Sequence, residues 1–260
     1  MHQPSATEQA ASILLARRLN AQKGEVLAAH CRPTDNQSAF AIQQAVTQLW
    51  CEQCKDSVGA WKCLQPIEGN WVVAPIFTST IDTIAPVSLW PDNNVARIEP
   101  ELAFYFAHAL PVRAEPYLPA EIDAAIGRTH MALELIYNRY VPTAPIHHFD
   151  KLADGLVNQG LYVGPQVDAE LAKQASNIDI TLSYADQTQP YSAKHPNVIP
   201  RAPLYWLVEF LRQQGIGIEA GQAAITGSYA GVFDAPIACD MTIKYAGLGE
   251  MHVHFKAKTQ

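Results

Sequence analysis

Several kinds of segment are scarce or missing in this chain. No apolar run reaches the roughly 18–20 residues that a membrane-crossing helix needs, so no membrane partner is expected. The first residues, Met1-His2-Gln3-Pro4-Ser5, lack the charged-then-apolar order of a signal peptide. Ile13-Leu14-Leu15 is followed by Arg17-Arg18, an order that suits an amphipathic helix, and the expected compartment is the cytoplasm. Basic residues are few. Lys and Arg number 18 against 25 Asp and Glu, a net charge of −7, which argues against nucleic acid or an anionic membrane as the main partner. Cysteine is sparse and odd in number, with five residues that fit reduced thiols. Cys51 and Cys54 form a Cys-x-x-Cys, but Cys31, Cys63 and Cys239 do not supply the second pair or the His spacing of a zinc site. A thioredoxin-like context is absent too, and the cysteines are read as structural or incidental. Internal repeats and low-complexity tracts are also lacking.

What is present is core-forming material. The 260 residues are 48% hydrophobic, enough for one large domain or a small one beside a larger one. Ser5 with Glu8 is a capping box, followed by Ala10, Ile13 and Leu14 at helical spacing. Thr34 with Gln37 reads as a second box, ahead of Phe40, Ile42, Ala45, Val46 and Leu49. Residues 1–55 are therefore expected to be a small helical region with a linker around Lys23-Gly24. From 56 to 260 strand chemistry dominates, in Val58–Leu64, Trp71–Phe77, Ile178–Tyr184, Ala223–Thr226, Met241–Tyr245 and Met251–Phe255. Pro119 opens a helix, Val141–Pro145 is a loop, and Leu204, Leu207, Val208 and Leu211 form an amphipathic helix that Gly215 ends. This pattern predicts an α+β fold.

The most informative stretch is Arg97-Ile98-Glu99-Pro100-Glu101-Leu102-Ala103-Phe104-Tyr105-Phe106, which reads as a strand. Alternation puts Glu99 and Glu101 on one face and Leu102, Phe104 and Phe106 on the other. Two carboxylates beside a core repel each other, and a divalent cation with oxygen ligands is the simplest compensation. Glu134 is the lone charge in the apolar run Met131-Ala132-Leu133-Glu134-Leu135-Ile136, and Glu is almost never fully buried unless paired. Ion pairs give the alternative, Glu134 with Arg139 or Arg128 and Glu99 with Arg97.

Those stretches, with Ala109-Leu110-Pro111, Arg139, Asp154 through Gly164, His195-Pro196, Trp206-Leu207, Gly221, Thr226-Gly227-Ser228, Asp240, Gly247-Leu248-Gly249 and Phe255, resemble the 2-keto-4-pentenoate hydratase / 4-oxalocrotonate decarboxylase family. That family lies in the fumarylacetoacetate hydrolase superfamily. The resemblance implies a mixed β-roll catalytic domain over 56–260 behind the helical region. It implies Glu99, Glu101 and Glu134 as ligands of Mg²⁺ or Mn²⁺, Lys62 as a catalytic residue, and Asn158, Thr226 and Gly227 as substrate-binding residues. Burial and a nearby cation are expected to lower the Lys62 pKa; the alternative is a surface lysine beside Trp61. The implied substrate is a small unsaturated 2-oxo acid of aromatic meta-cleavage catabolism, hydrated at its conjugated end. Decarboxylation of a 2-oxo-dienedioate is the alternative reaction, and C–C hydrolysis would need a His-Glu base that is not evident. A homo-oligomer, or a complex with a pathway enzyme, is also implied.

Departures from the family pattern motivate a third reading, a non-catalytic member that binds a small acid or a partner subunit. Cys63-Leu64-Gln65-Pro66 replaces a Gly-containing turn, and Thr78-Ser79-Thr80 stands where an acidic residue is common. Asp82 is a candidate substitute for it. His195 is a candidate rim residue or a loop histidine, His252 and His254 are either a metal pair or a solvated face, and His147-His148 is expected at the surface.

Overall fold

The computed structural model describes residues 3–259, so Met1, His2 and Gln260, the outer limits of the two expected regions, lie outside it. Helices α1 (Ala6–Asn20) and α2 (Asn36–Cys54) come first. The Ser5–Glu8 capping box caps α1. The cap of α2 is Asp35 with Ser38, one residue beyond the expected Thr34–Gln37 pair. The carboxylate of Asp35 accepts the Ser38 amide at 2.7 Å, and Asp is a stronger N-cap than Thr.

Strands β1 (Val58–Ile67), β2 (Asn70–Phe77), β3 (Ile81–Asp82), β4 (Val87–Leu89) and β5 (Val95–Phe106) follow. Then come α3 (Pro119–Ala125), β6 (Ile126–Ile136), α4 (His148–Ala153), β7 (Asn158–Val167), α5 (Ala169–Gln174), β8 (Asn177–Tyr184) and β9 (Gln187–Lys194). The chain closes with α6 (Ala202–Gln213), β10 (Ala223–Ile225), β11 (Phe233–Pro236), β12 (Asp240–Tyr245) and β13 (Gly249–Ala257).

A curled sheet runs β2-β1-β10-β5-β6-β7-β3, with β11 on β5, and a second sheet runs β4-β13-β12-β8-β9. Pairing is mixed. β1 lies parallel to β10, and β5 antiparallel to β6 and β10. The result is an α+β fold built on a mixed, curled sheet.

β5 is buried along one face and, at Glu101 and Ala103, on the other, and the two faces differ in kind. Ile98, Leu102, Phe104 and Phe106 join the large core, which also contains Leu14 of α1 and Phe40 of α2. The face that carries Glu99 and Glu101 continues into Ala103, and there Ala60, Ile76, Ala132, Leu161, Val163, Ala223 and Ile225 form a second, smaller cluster. Four of those eight residues are alanine. Small side chains let the sheet curl tightly around that face. The second sheet packs across the first, and Tyr245 on β12 donates its hydroxyl to the Ala132 carbonyl at 3.0 Å. Among the described residues no helix is long and apolar enough to cross a membrane.

Candidate metal centre

Strand register assembles the site. Glu99 on β5 stands directly opposite Glu134 on β6. Glu101 lies two residues along on the same face. One oxygen each from Glu99, Glu101 and Glu134 fall within 4.8 Å of one another. Lys62 on β1 is paired with Ile225 of β10, which is paired with Ala103 of β5, so its side chain enters the same interior. Its Nζ lies 2.7 Å from Glu134 Oε1. Lys62 is buried, not a surface lysine beside Trp61.

The ion pairs weighed from the sequence are different in the structure. Arg139 is taken by Asp154 at 2.8 Å, and Arg97 by Asp234 at 3.2 Å. Arg128 lies over the Tyr105 ring. Glu134 is thus left to Lys62 and to Asn158, whose amide donates to Oε1 at 2.8 Å. Gly227 donates its backbone N–H to Glu101 Oε2 at 2.6 Å. Asn158 and Gly227, expected to meet substrate, here hold the two buried glutamates. Thr226 lies one residue away, with its hydroxyl 3.4 Å from His195 Nε2.

The electrostatics are those of crowded acceptors. Burial, then the charges of Glu134 and Glu99, push Glu101 well above the carboxylate range. Burial pushes Glu134 up to about 7, with Glu99 adding and Lys62 opposing. Without a cation, burial acts to lower the pKa of Lys62, but the charges of Glu134, Glu99 and Glu101 outweigh it and raise the pKa above the ordinary lysine value. Glu134 Oε2 is buried and accepts no hydrogen bond. An orphaned acceptor among three converging carboxylates fits a divalent cation with oxygen ligands.

A pH dependence follows from Glu134. Its folded pKa is raised, so in the metal-free protein the folded state holds more protons between about pH 4.5 and 7. Metal-free stability therefore falls as pH rises through that window, by about 3 kcal/mol from this group. Thermal melts of the metal-free protein are expected to lose roughly 5–10 °C between pH 5 and pH 8 on this account. Saturating Mn²⁺ is expected to reverse the slope, because cation binding requires the ionised carboxylates. Parallel slopes with and without Mn²⁺ would count against this.

Gly227 is confined by its backbone. Its φ is +113°, and a Cβ there would clash with Leu64 Cδ2. Gly227→Ala is expected to cost about 1–3 kcal/mol and to loosen the amide that supports Glu101, which thermal melts with Mn²⁺ titration would register.

Other candidates lie elsewhere. His195 is buried, with Nδ1 2.6 Å from the Asn197 carbonyl, and burial lowers its pKa. His254 contacts Asp240 at 2.8 Å and His252 contacts Thr242 at 3.0 Å. Among the described residues only the three glutamates form a cluster of metal-ligating geometry. Asp82 feels the charge of Lys258. The Thr78–Thr80 turn takes its carboxylate from Asp56, which accepts from Ser79 Oγ at 2.5 Å. His148 is half-buried and contacts the Trp71 carbonyl. The five cysteines are free thiols, and burial raises the pKa of Cys51 and Cys54. Sequence reasoning passed over Tyr229, whose buried hydroxyl has no partner and whose pKa is raised by burial and by Glu101. It weighed Arg139 only as a partner of Glu134 and gave Asp154 no role, although both stand in the stretches that carry the resemblance.

The curled mixed sheet with helices packed on it is a fold of the fumarylacetoacetate hydrolase type. No protein-family model and no curated protein matches the sequence. Among solved structures, 4-oxalocrotonate decarboxylase from Pseudomonas putida G7, complexed with calcium and acetate, is similar at a TM-score of 0.77 and 15% identity, over 96% of each chain. Its complex with magnesium and adipate gives 0.75 at 15% identity, over 96% of this chain and 97% of that one. A protein from Yersinia pestis CO92 assigned to the fumarylacetoacetate hydrolase family gives 0.52 at 14% identity, over 77% and 93%. The 2-hydroxyhepta-2,4-diene-1,7-dioate isomerase from Mycobacterium marinum gives 0.53 at 14% identity, over 79% and 78%. The resemblance read from the sequence is thus matched by the fold.

Proposed function

We propose that this protein is a divalent-metal-dependent lyase acting on a small unsaturated 2-oxo acid. The observation that carries the reading is the meeting of Glu99, Glu101 and Glu134, with ligand atoms within 4.8 Å, beside a buried Lys62 at 2.7 Å from Glu134. An all-carboxylate donor set suits Mg²⁺ or Mn²⁺. When bound, the cation supplies Lewis-acid stabilisation of negative charge developing on the 2-oxygen of the acid.

The chain's own groups divide the remaining work. Glu99, Glu101 and Glu134 hold the cation, while Gly227 and Asn158 orient the second and third of them. Lys62, held beside Glu134, donates a hydrogen bond or its proton to the substrate as charge develops. The apolar floor of Ala103, Ala132 and Ile225 excludes bulk water beneath the reacting carbons. Addition of water to the conjugated end of 2-hydroxypenta-2,4-dienoate gives a 4-hydroxy-2-oxo acid. The second reading, decarboxylation of 2-oxo-3-hexenedioate, draws on the same charge stabilisation and is favoured by the similarity to the Pseudomonas decarboxylase over nearly the whole of both chains. A homo-oligomer is part of the proposal.

Both substrates are to be assayed side by side with Mg²⁺, Mn²⁺ or EDTA, following diene absorbance for the first and CO₂ for the second. Metal-dependent consumption of one assigns the reaction. Metal binding without turnover of either would favour the non-catalytic reading.

A further inference from the structure

We infer that Arg139 and Asp154 form a positioning clamp that holds a strained loop, residues 155–157, against both Lys62 and Glu134. The starting point is the backbone. Gly155, Leu156 and Val157 have φ of 73°, 53° and 60°, three successive left-handed residues. Glycine adopts that conformation freely, leucine reluctantly, and a β-branched valine rarely. Such a run persists only where its surroundings over-determine it.

The over-determination comes mainly from one side chain. Arg139 Nε donates to both oxygens of Asp154, at 2.9 and 2.8 Å. Its Nη2 donates to the Asp154 carbonyl at 2.7 Å and its Nη1 to the Asn158 carbonyl at 3.0 Å. A single guanidinium therefore fastens both ends of the loop. Arg18 Nη2 adds a second bond to the Asp154 carbonyl at 3.1 Å. Arg139 and Asp154 are 2% and 1% exposed, so solvent competes with none of these bonds.

What the loop presents faces the candidate metal centre. The Leu156 carbonyl accepts from Lys62 Nζ at 3.4 Å, opposite the 2.7 Å contact with Glu134. Asn158, at the loop's end, donates to Glu134 Oε1 at 2.8 Å and to the Gly160 carbonyl at 3.2 Å. The ammonium is thus held between one loop carbonyl and one ligand carboxylate, and the loop's last amide orients that carboxylate. Arg139 and Asp154 touch neither substrate nor cation; they are positioning residues. A second pair, with a buried carboxylate and a partly exposed guanidinium, gives the contrast. The Asp150 side chain accepts from Arg32 at 2.9 and 2.7 Å and from the His147 amide at 2.8 Å, with no bond to a site residue.

The inference rests on the proposed metal-dependent reading, and its test separates the two. Mn²⁺ affinity and turnover are to be measured for Asp154→Asn, for Val157→Gly and for the control Asp150→Asn, each with its thermal midpoint. Asp154→Asn is expected to lower Mn²⁺ affinity and kcat by about 10–100-fold. Val157→Gly, which relieves strain and frees the loop, is expected to melt no lower than wild type while kcat falls about tenfold. Asp150→Asn is expected to lose thermal stability with Mn²⁺ affinity unchanged. Wild-type affinity and turnover in Val157→Gly, or an equal loss of affinity in Asp150→Asn, would overturn the clamp. If Asp154→Asn does not fold, Val157→Gly decides on the same readouts. If wild type turns over neither substrate, the functional reading fails, and the clamp is judged from Mn²⁺ affinity and from a crystal structure of a folded variant. In that structure the Lys62 ammonium is expected off the Leu156 carbonyl and the Asn158 amide off Glu134; both unmoved would overturn it.

Discussion

In Glu101→Gln, metal-dependent turnover falls by at least about 100-fold, more than is usual for losing an outer-shell partner, and Mn²⁺ affinity falls with it. Glu101 is 1% exposed, and the substitution keeps its volume and an acceptor for the Gly227 amide. What it removes is one negative charge from a group whose pKa is already driven up by burial and by Glu134 and Glu99. Stability moves the other way. Without metal, the variant sheds a buried like charge and melts above wild type at pH 8. Higher stability with lost metal binding is a combination that misfolding cannot produce. Isothermal titration with Mn²⁺ and paired thermal melts check both halves. Unchanged Mn²⁺ affinity would remove Glu101 from the ligand set.

Lys62→Met separates the cation site from the chemistry. Turnover is expected to fall by about 10²–10⁴, the usual contribution of a positioned proton donor. Mn²⁺ affinity is expected to hold or rise. The ammonium sits 2.7 Å from a ligand oxygen and compensates the same three carboxylates that a cation would. Methionine retains much of the stem's apolar bulk and lacks the charge. A parallel loss of affinity and turnover would mean that Lys62 supports the carboxylates structurally. Preserved turnover would move the proton donor elsewhere, with the orphaned Tyr229 hydroxyl the next group to test.

Much of the site is legible from local periodicity. Alternation along β5 alone places Glu99 and Glu101 together and sends Leu102, Phe104 and Phe106 to the core, because a period of two is a property of a single extended chain. Glu134 stands out as the lone charge in an apolar run. Cap chemistry locates α1 to the residue and misses α2 by one, since Thr34 and Asp35 are adjacent and only the folded geometry shows whose oxygen reaches the Ser38 amide. β9 is the opposite case. Gln187–Lys194 is an exposed edge strand with little apolar alternation, and it forms because β8 offers it a ladder.

Pairing partners are a different matter. From the sequence, Glu134 has Arg139 or Arg128 within reach and Glu99 has Arg97. In the fold, Arg139 goes to Asp154, Arg97 to Asp234, and Lys62 arrives from 72 positions earlier in the chain. The upward Lys62 pKa shift of the cation-free protein has the same origin: burial is readable from the apolar surroundings, whereas three carboxylates converging on one ammonium are not. The sequence by itself determined the α+β class and the core face of β5, because those follow from short-range alternation, capping and composition, and its family resemblance singled out the three candidate ligands. Only the tertiary structure decided that Glu99 faces Glu134, that Lys62 compensates them, and that Arg139 fastens the loop beneath both. Each of those depends on strand register and loop closure between residues distant in the chain, where the choice among possible partners is made by the whole packed sheet.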